Sequence, residues 1–287
     1  MTQRQKGMIC IILSAFSFAL MNVCIRMAGD LPSMQKSFFR NLLCFFAALF
    51  IMKRKHIGFS GKRENLVFLV LRSVFGTLGI LGNFYAVDHL VLADASMLNK
   101  MSPFFAIVFS VILLRERVSL VQVTAVAGAF LGSLLIIKPS GASLIQVPAL
   151  AGLLGGLCAG AAYTYVRLLS VRGEKGPFIV CFFSGFSTLV LLPYLILNYT
   201  PMTGAQLLWL LAAGAAASGG QFGITAAYGY APAREISVYD YSQIIFSALL
   251  GFFLFGQMPD LYSWLGYGVI CAMAVWMFFY QNQKSSQ

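Results

Sequence analysis

Ten apolar stretches, each near twenty residues, follow one another along this chain with only short connections between them. They cover residues 7–27, 35–52, 66–87, 94–114, 119–138, 149–169, 177–197, 204–229, 234–255 and 260–280. Twenty helical residues at about 1.5 Å each match the ~30 Å hydrocarbon core of a bilayer. The longest connection, 53–65, holds Lys53-Arg54-Lys55 and Lys62-Arg63 and no room for a soluble domain. Composition agrees: only 10% of the residues are charged, against about 25% in a soluble domain. Alternating apolar and polar runs of about ten residues, the mark of a membrane barrel, are absent. The expected fold is an all-α integral membrane protein of ten transmembrane helices.

The net charge of +11 does not point to nucleic acid, because most positive residues stand at the ends of the apolar stretches, where the membrane accounts for them. With Arg4 and Lys6 inside, the inner loops contain Lys53, Arg54, Lys55, Lys62, Arg63, Arg115, Arg117, Arg172 and Lys175, and the tail contains Lys284. The outer loops contain Asp30, Asp88, His89 and Asp260, with Lys138 at the edge. Both termini are therefore expected in the cytoplasm, and the chain in the plasma or inner membrane. Arg26 and Asp30 occupy the end of the first stretch in place of a small-residue cleavage site, so that stretch is expected to be kept as a helix. Six cysteines (Cys10, Cys24, Cys44, Cys158, Cys181 and Cys271) lie inside apolar stretches without metal-like or paired spacing. They read as small core residues.

A linker at 139–148 separates residues 1–138 from 149–287, and a shift of 140 aligns the two. Arg72, Gly76, Gly79 and Asn83 then fall on Ala212, Ala216, Gly219 and Gly223, Lys100 falls on Asp240, and Ser102 on Ser242. Five spans is an odd number, so two such repeats enter the membrane in opposite directions, as inverted-topology transporter repeats do. Chance alignment of small residues accounts for part of the match, but less readily for the shared helix phase and the central linker.

The fourth span ends in an apolar run and then Arg-Glu-Arg (Leu113-Leu114-Arg115-Glu116-Arg117), and the fifth bears Gly128 and Gly132. With five-plus-five spans, this resembles the drug/metabolite transporter superfamily, specifically its EamA-type members, over nearly the whole chain. That family usually carries a proline within the fourth helix and a glutamate at its end, matched by Pro103 and Glu116. The second half departs, with Gln243 and Gly256 at the corresponding positions. The resemblance implies that spans 5 and 10 are peripheral and that the others enclose a central cavity.

Polar residues inside apolar spans mark the candidate site, since lipid alone disfavours each of them. Arg72, Gly76, Gly79 and Asn83 share one face of span 3 by their spacing. Arg72 there either snorkels to the membrane edge or faces a cavity. Ser96, Asn99, Lys100 and Pro103 share a face of span 4, where Pro103 bends the helix and frees a carbonyl near Asn99. Lys100 either snorkels outward or lines a wet cavity. Asp240 and Tyr241 stand in span 9, at the inverted counterpart of Lys100; Asp240 is read as a structural partner, a proton carrier or a contact for a substrate amine. Gln221, Thr225 and Tyr228 make a polar stripe in span 8, and Ser37, Arg40 and Cys44 a face in span 2. Arg40 and Arg26 either draw anions into a vestibule or anchor at headgroups.

No Walker loop, His-Glu-x-x-His or carboxylate cluster occurs. No cofactor is expected, and a proton or ion gradient would have to drive any concentrative transport. The expected activity is secondary transport or export of small polar metabolites, with anionic or zwitterionic solutes such as amino acids and organic acids favoured by the basic excess in the spans. Its partners would be that small-molecule substrate and the lipid bilayer, in a monomer or homodimer. The alternatives are a membrane-embedded enzyme acting on a lipid-linked substrate, and a channel or sensor.

Overall fold

The computed structural model describes residues 3–58, 61–114, 120–137, 146–230 and 239–285. Its helices are α1 (Gln3–Met27), α2 (Ser33–Arg54), α3 (Leu66–His89), α4 (Leu92–Asn99), α5 (Ser102–Leu114), α6 (Leu120–Ile137), α7 (Val147–Val171), α8 (Gly176–Leu197), α9 (Gly204–Tyr230), α10 (Ser242–Phe255) and α11 (Leu261–Ser285). There is no strand among the described residues. Among the described residues, seven helical segments are long and apolar enough to cross a membrane: those at 5–27, 33–54, 63–89, 147–171, 176–197, 204–227 and 261–280. Val123–Ile136 and Ser242–Phe255 are shorter apolar helices.

The helices pack mainly across the two halves of the sequence. α1 lies against α9 and α10, α3 against α7 and α8, α2 against α8 and α9, α4 against α7 and α10, and α6 against α11. Small residues permit the closest approaches. A Cβ on Gly82 would lie 2.5 Å from the Ala151 carbonyl oxygen, so α3 and α7 meet backbone to backbone. Polarity runs opposite to that of a soluble protein. Large apolar side chains such as Leu131, Leu189, Leu208 and Phe253 cover the outside. Lys36, Arg40, Asn22, Asn41 and Ser96 are buried. That is the arrangement lipid selects, because buried polar groups find partners only inside the bundle.

The fourth span, read from sequence as one bent helix over 94–114, is two helices. Lys100 N–H donates to Ser96 O and Met101 N–H to Leu98 O, which tightens and ends α4. Phe104 and Phe105 N–H both donate to Met101 O, opening α5. Pro103 is the second residue of α5, where a missing N–H costs nothing because the first turn has no intrahelical acceptor. The break therefore falls at Lys100-Met101, a little before the proline. α7 covers it with glycines: a Cβ on Gly156 would lie 2.6 Å from Leu98 O, and one on Gly160 2.7 Å from Ser102 O. Non-helical backbone at membrane depth survives only when protein covers it in this way.

α10 likewise begins just after Asp240-Tyr241 and closes at Gly256, whose φ of +62° is left-handed. Gly256 N–H donates to Phe252 O and Gln257 N–H to Gly251 O, a helix stop that suits glycine. The side chain of Gln257 then accepts the Leu92 N–H at 3.0 Å, capping α4. Thus Gly256, which departs from the family's glutamate, ends one broken helix and helps start the other.

Candidate functional site

Two discontinuities meet in the centre of the bundle. Lys100 is the C-terminal cap of α4, and Asp240 precedes the start of α10. Their side chains form an ion pair, Nζ to Oδ2 at 2.6 Å, with 4% of each side chain exposed. The Tyr241 hydroxyl donates to the Lys100 carbonyl at 3.1 Å, so the break in one half is satisfied by the residue at the break in the other. Asp240 Oδ1 has no hydrogen-bond partner among the described residues, so the pair rests on one oxygen.

Beside this pair lies a cavity of about 60 Å³, room for on the order of five waters. Its walls come from α1 to α4 and α7 to α10; α6 and α11 contribute no described lining residue. The polar lining is Arg40, Arg72, Asn83, Asn99, Lys100, Tyr163, Gln221 and Gln243. The apolar lining is aromatic or flexible: Phe18, Met21, Phe84 and Phe183.

The two arginines are held by neutral groups. Arg40 donates from Nη1 to Asn41 Oδ1 at 2.5 Å, and Asn41 in turn donates to Ser187 Oγ at 2.8 Å. The Arg72 guanidinium lies over the Phe183 ring at 3.6 Å from its centroid, a cation–π contact. The α3 face makes the space for it. A Cβ on Gly76 would sit 2.6 Å from Arg72 Nη1 and 2.8 Å from Phe183. Arg40 Nε and Arg72 Nε and Nη1 are buried with no hydrogen-bond partner among the described residues. Neither arginine is ion-paired with a carboxylate among the described residues.

The structure brings six of the sequence candidates together on the cavity wall: Arg40, Arg72, Asn83, Asn99, Lys100 and Gln221. Asp240 and Tyr241 stand behind Lys100 as its partners. Ser96 does not line the cavity. Asn83 donates to Asn22 Oδ1 at 3.2 Å, Asn22 to Ser96 Oγ at 3.5 Å, and Ser96 shares a 2.7 Å hydrogen bond with Ser247. That chain joins α3, α1, α4 and α10. Tyr228 belongs to α9, but its side chain lies outside the described residues, as does Arg115-Glu116-Arg117. Tyr163, Phe183, Phe18 and Gln243 are lining residues that sequence reasoning did not single out. Tyr163 continues the spacing of Gly156 and Gly160 along α7, a signal that could have found it. Phe183 carries no mark that separates it from the other phenylalanines.

Both ends of the bundle are tied across the sequence halves. At one end Gln35 exchanges two hydrogen bonds with the Thr200 backbone, beside two contacts within the first half, Lys36 with Asp88 at 2.6 Å and Arg26 with the Leu90 carbonyl. At the other, Glu174 Oε1 accepts from Lys62 N–H at 3.0 Å and from Asn65 Nδ2 at 2.8 Å.

The profile of the EamA-like transporter family matches this chain twice, over residues 5–138 and 146–279. The pseudopaline exporter CntI of Pseudomonas aeruginosa is 33% identical over 272 residues, covering 94% of this chain and 94% of that protein. A riboflavin transporter of Rhizobium johnstonii is 27% identical and covers 94% of this chain and 90% of that one. Human solute carrier family 35 member G1 is 24% identical, over 93% of this chain and 77% of its own. One solved crystal structure shares the fold with a TM-score of 0.69 at 15% identity, covering 97% of this chain and 98% of the other. A multi-pass helical bundle with a buried polar cavity and these relatives has one consistent identity: the chain belongs to the EamA-like transporter family and is a membrane transporter of a small-molecule substrate.

Proposed function

We propose that this transporter moves small polar metabolites of anionic or zwitterionic character across the plasma or inner membrane by alternating access. The observation that carries the reading is the cavity between the sequence halves, whose wall contains two buried arginines without carboxylate partners among the described residues. A buried cation in a bilayer costs roughly 2.5–3.5 kcal/mol on the insertion scale unless something compensates it. A substrate anion is the compensation a transporter can supply. The cavity holds only a few waters, so a metabolite enters by a change in helix packing rather than by diffusion through an open pore.

The moving parts of this reading are two inverted repeats, residues 1–138 and 149–287, joined by the linker 139–148. The packing pattern supports it. Exchanging the first five spans with the last five turns α1 on α9 into α7 on α3, and α4 on α7 into α10 on α1, both of which occur. Lys100 and Asp240 stand at matching breaks, and substrate sites in such repeats lie where broken helices meet near the midplane. Arg40, Arg72, Asn83, Asn99 and Gln221 contact the substrate in this reading, with Tyr228 on the α9 stripe, and Lys100 joins them only when its pair with Asp240 opens. Asp240 carries the coupled proton or ion when its pair with Lys100 opens, with Tyr241 and Ser96 holding the breaks in place. The basic loops put both termini in the cytoplasm.

The test is counterflow of labelled amino acids and organic acids in vesicles containing the purified protein. Saturable, trans-stimulated uptake supports the reading. Non-saturating flux would mean a channel, and absence of flux with all of them would sink the proposal.

A further inference from the structure

The charges around the cavity are unequally engaged. Lys100 and Asp240 neutralise each other at 2.6 Å. Arg40 and Arg72 line the same cavity, are almost wholly buried, and pair with no carboxylate among the described residues. The local balance is therefore two positive charges on the wall of one cavity. We infer that the Arg40–Arg72 corner binds a dianion, two carboxylates of one substrate or a doubly charged phosphate, and that Lys100 is kept from binding by Asp240. This assignment rests on the transporter reading above and narrows its substrate class.

Three features of the walls support it. The first is the supply of fixed donors. Arg40 Nε and Arg72 Nε and Nη1 have no hydrogen-bond partner among the described residues, and the planar guanidinium matches carboxylate and phosphate oxygens better than a lysine does. Stacking on Phe183 fixes the plane of Arg72 before any ligand arrives. The second is the lack of a counter-charge for an amine. No described lining residue is a carboxylate, and Asp240, behind the wall, already holds Lys100. A zwitterion would bring its ammonium into a positive corner, and a monoanion would leave one buried cation uncompensated. The third is the rest of the lining. Asn99, Gln221 and Tyr163 offer neutral hydrogen-bonding groups, and Phe18 and Met21 an apolar surface. Such walls suit an uncharged carbon skeleton between or behind the anionic groups.

The experiment uses the purified full chain and three probes of equal length: glutarate, pentanoate and 5-aminopentanoate, with inorganic phosphate as a fourth. Thermal unfolding is followed at 10 mM probe and constant ionic strength. A ligand that binds only the folded state raises Tm by mass action, and a shift of roughly 3 °C is resolvable for a chain of this size. Glutarate or phosphate should give at least that shift, and pentanoate and 5-aminopentanoate less than a third of it. Glutarate acting alone assigns a dicarboxylate; phosphate acting alone assigns a phosphate ester. The shift should disappear in Arg40→Gln and in Arg72→Gln. It should persist in Glu174→Gln, which lies at the end of the bundle away from the cavity. Dianions no better than pentanoate, or a shift that survives both arginine variants, would overturn the inference. The comparison of probes on the unaltered protein needs no variant, so a variant that fails to fold does not remove the test. Glutarate stabilisation without counterflow would sink the transport reading and leave this site standing. Counterflow of 5-aminopentanoate but not glutarate would do the reverse.

Discussion

Replacing Lys100 by alanine strands the carboxylate of Asp240 where only 4% of its side chain is exposed. Removing one partner of a buried ion pair costs about 3–5 kcal/mol, because the remaining charge has lost its compensation and cannot reach water. At about 2–4 °C per kcal/mol for a chain of this size, Lys100→Ala should lower Tm by roughly 6–20 °C. Asp240→Asn should lower it less, because the amide oxygen can still accept from the Lys100 ammonium. Lys100→Gln/Asp240→Asn removes both charges and keeps a hydrogen bond between them, so it should stay within about 2 kcal/mol of the parent. Tryptophan fluorescence during heating in detergent, with Trp209, Trp264 and Trp276 as reporters, measures all three. A double-mutant cycle should return a coupling of about 2–3 kcal/mol between the sites. A coupling below ~0.5 kcal/mol would mean that the two side chains do not pair in the dominant state, and the account of the central break would fail. Neither single substitution is silent, because each residue is the other's counter-ion.

Three further outcomes follow from measured contacts. Gly76→Ala puts a methyl group 2.6 Å from Arg72 Nη1 and 2.8 Å from Phe183; it should displace the guanidinium and cut counterflow at least about tenfold while costing only ~1–2 kcal/mol of stability. Gly82→Ala meets the Ala151 carbonyl oxygen at 2.5 Å, and backbone cannot step aside, so Tm should fall by an amount equivalent to about 2–3 kcal/mol. Glu174→Gln touches exposed bonds to Lys62 and Asn65, and should change stability by less than ~1 kcal/mol, a smaller Tm loss than either of the others.

Much of the site can be read in the sequence, for a simple reason. In a chain bound for lipid, a polar side chain inside an apolar stretch must turn inward, so Arg40, Arg72, Asn83, Asn99, Lys100 and Gln221 could be named without coordinates, and all six reach one cavity. The aromatic wall was not legible. Phe183 touches Arg72, but a phenylalanine suits lipid, core and cavity alike, and nothing local distinguishes the three. Ser96 met the polarity criterion yet turns to Ser247 instead, a partner on α10 that spacing within α4 does not reveal.

The sequence by itself determined that this is a membrane-embedded helical protein, because its stock of charge cannot clothe a water-facing surface, and it determined which residues lipid would reject. Only the tertiary structure decided what each rejected charge does. Lys100 and Asp240 lie 140 residues apart, and no spacing rule tells a matched pair of substrate contacts from a salt bridge. That distinction depends on whether two broken helices bring their ends within 3 Å of each other. They do, and the pair cancels itself, leaving Arg40 and Arg72 on the cavity wall without a counter-charge among the described residues. The physical reason is that electrostatic compensation is a matter of distance in space, and distance in space is set by packing across the two halves of the chain.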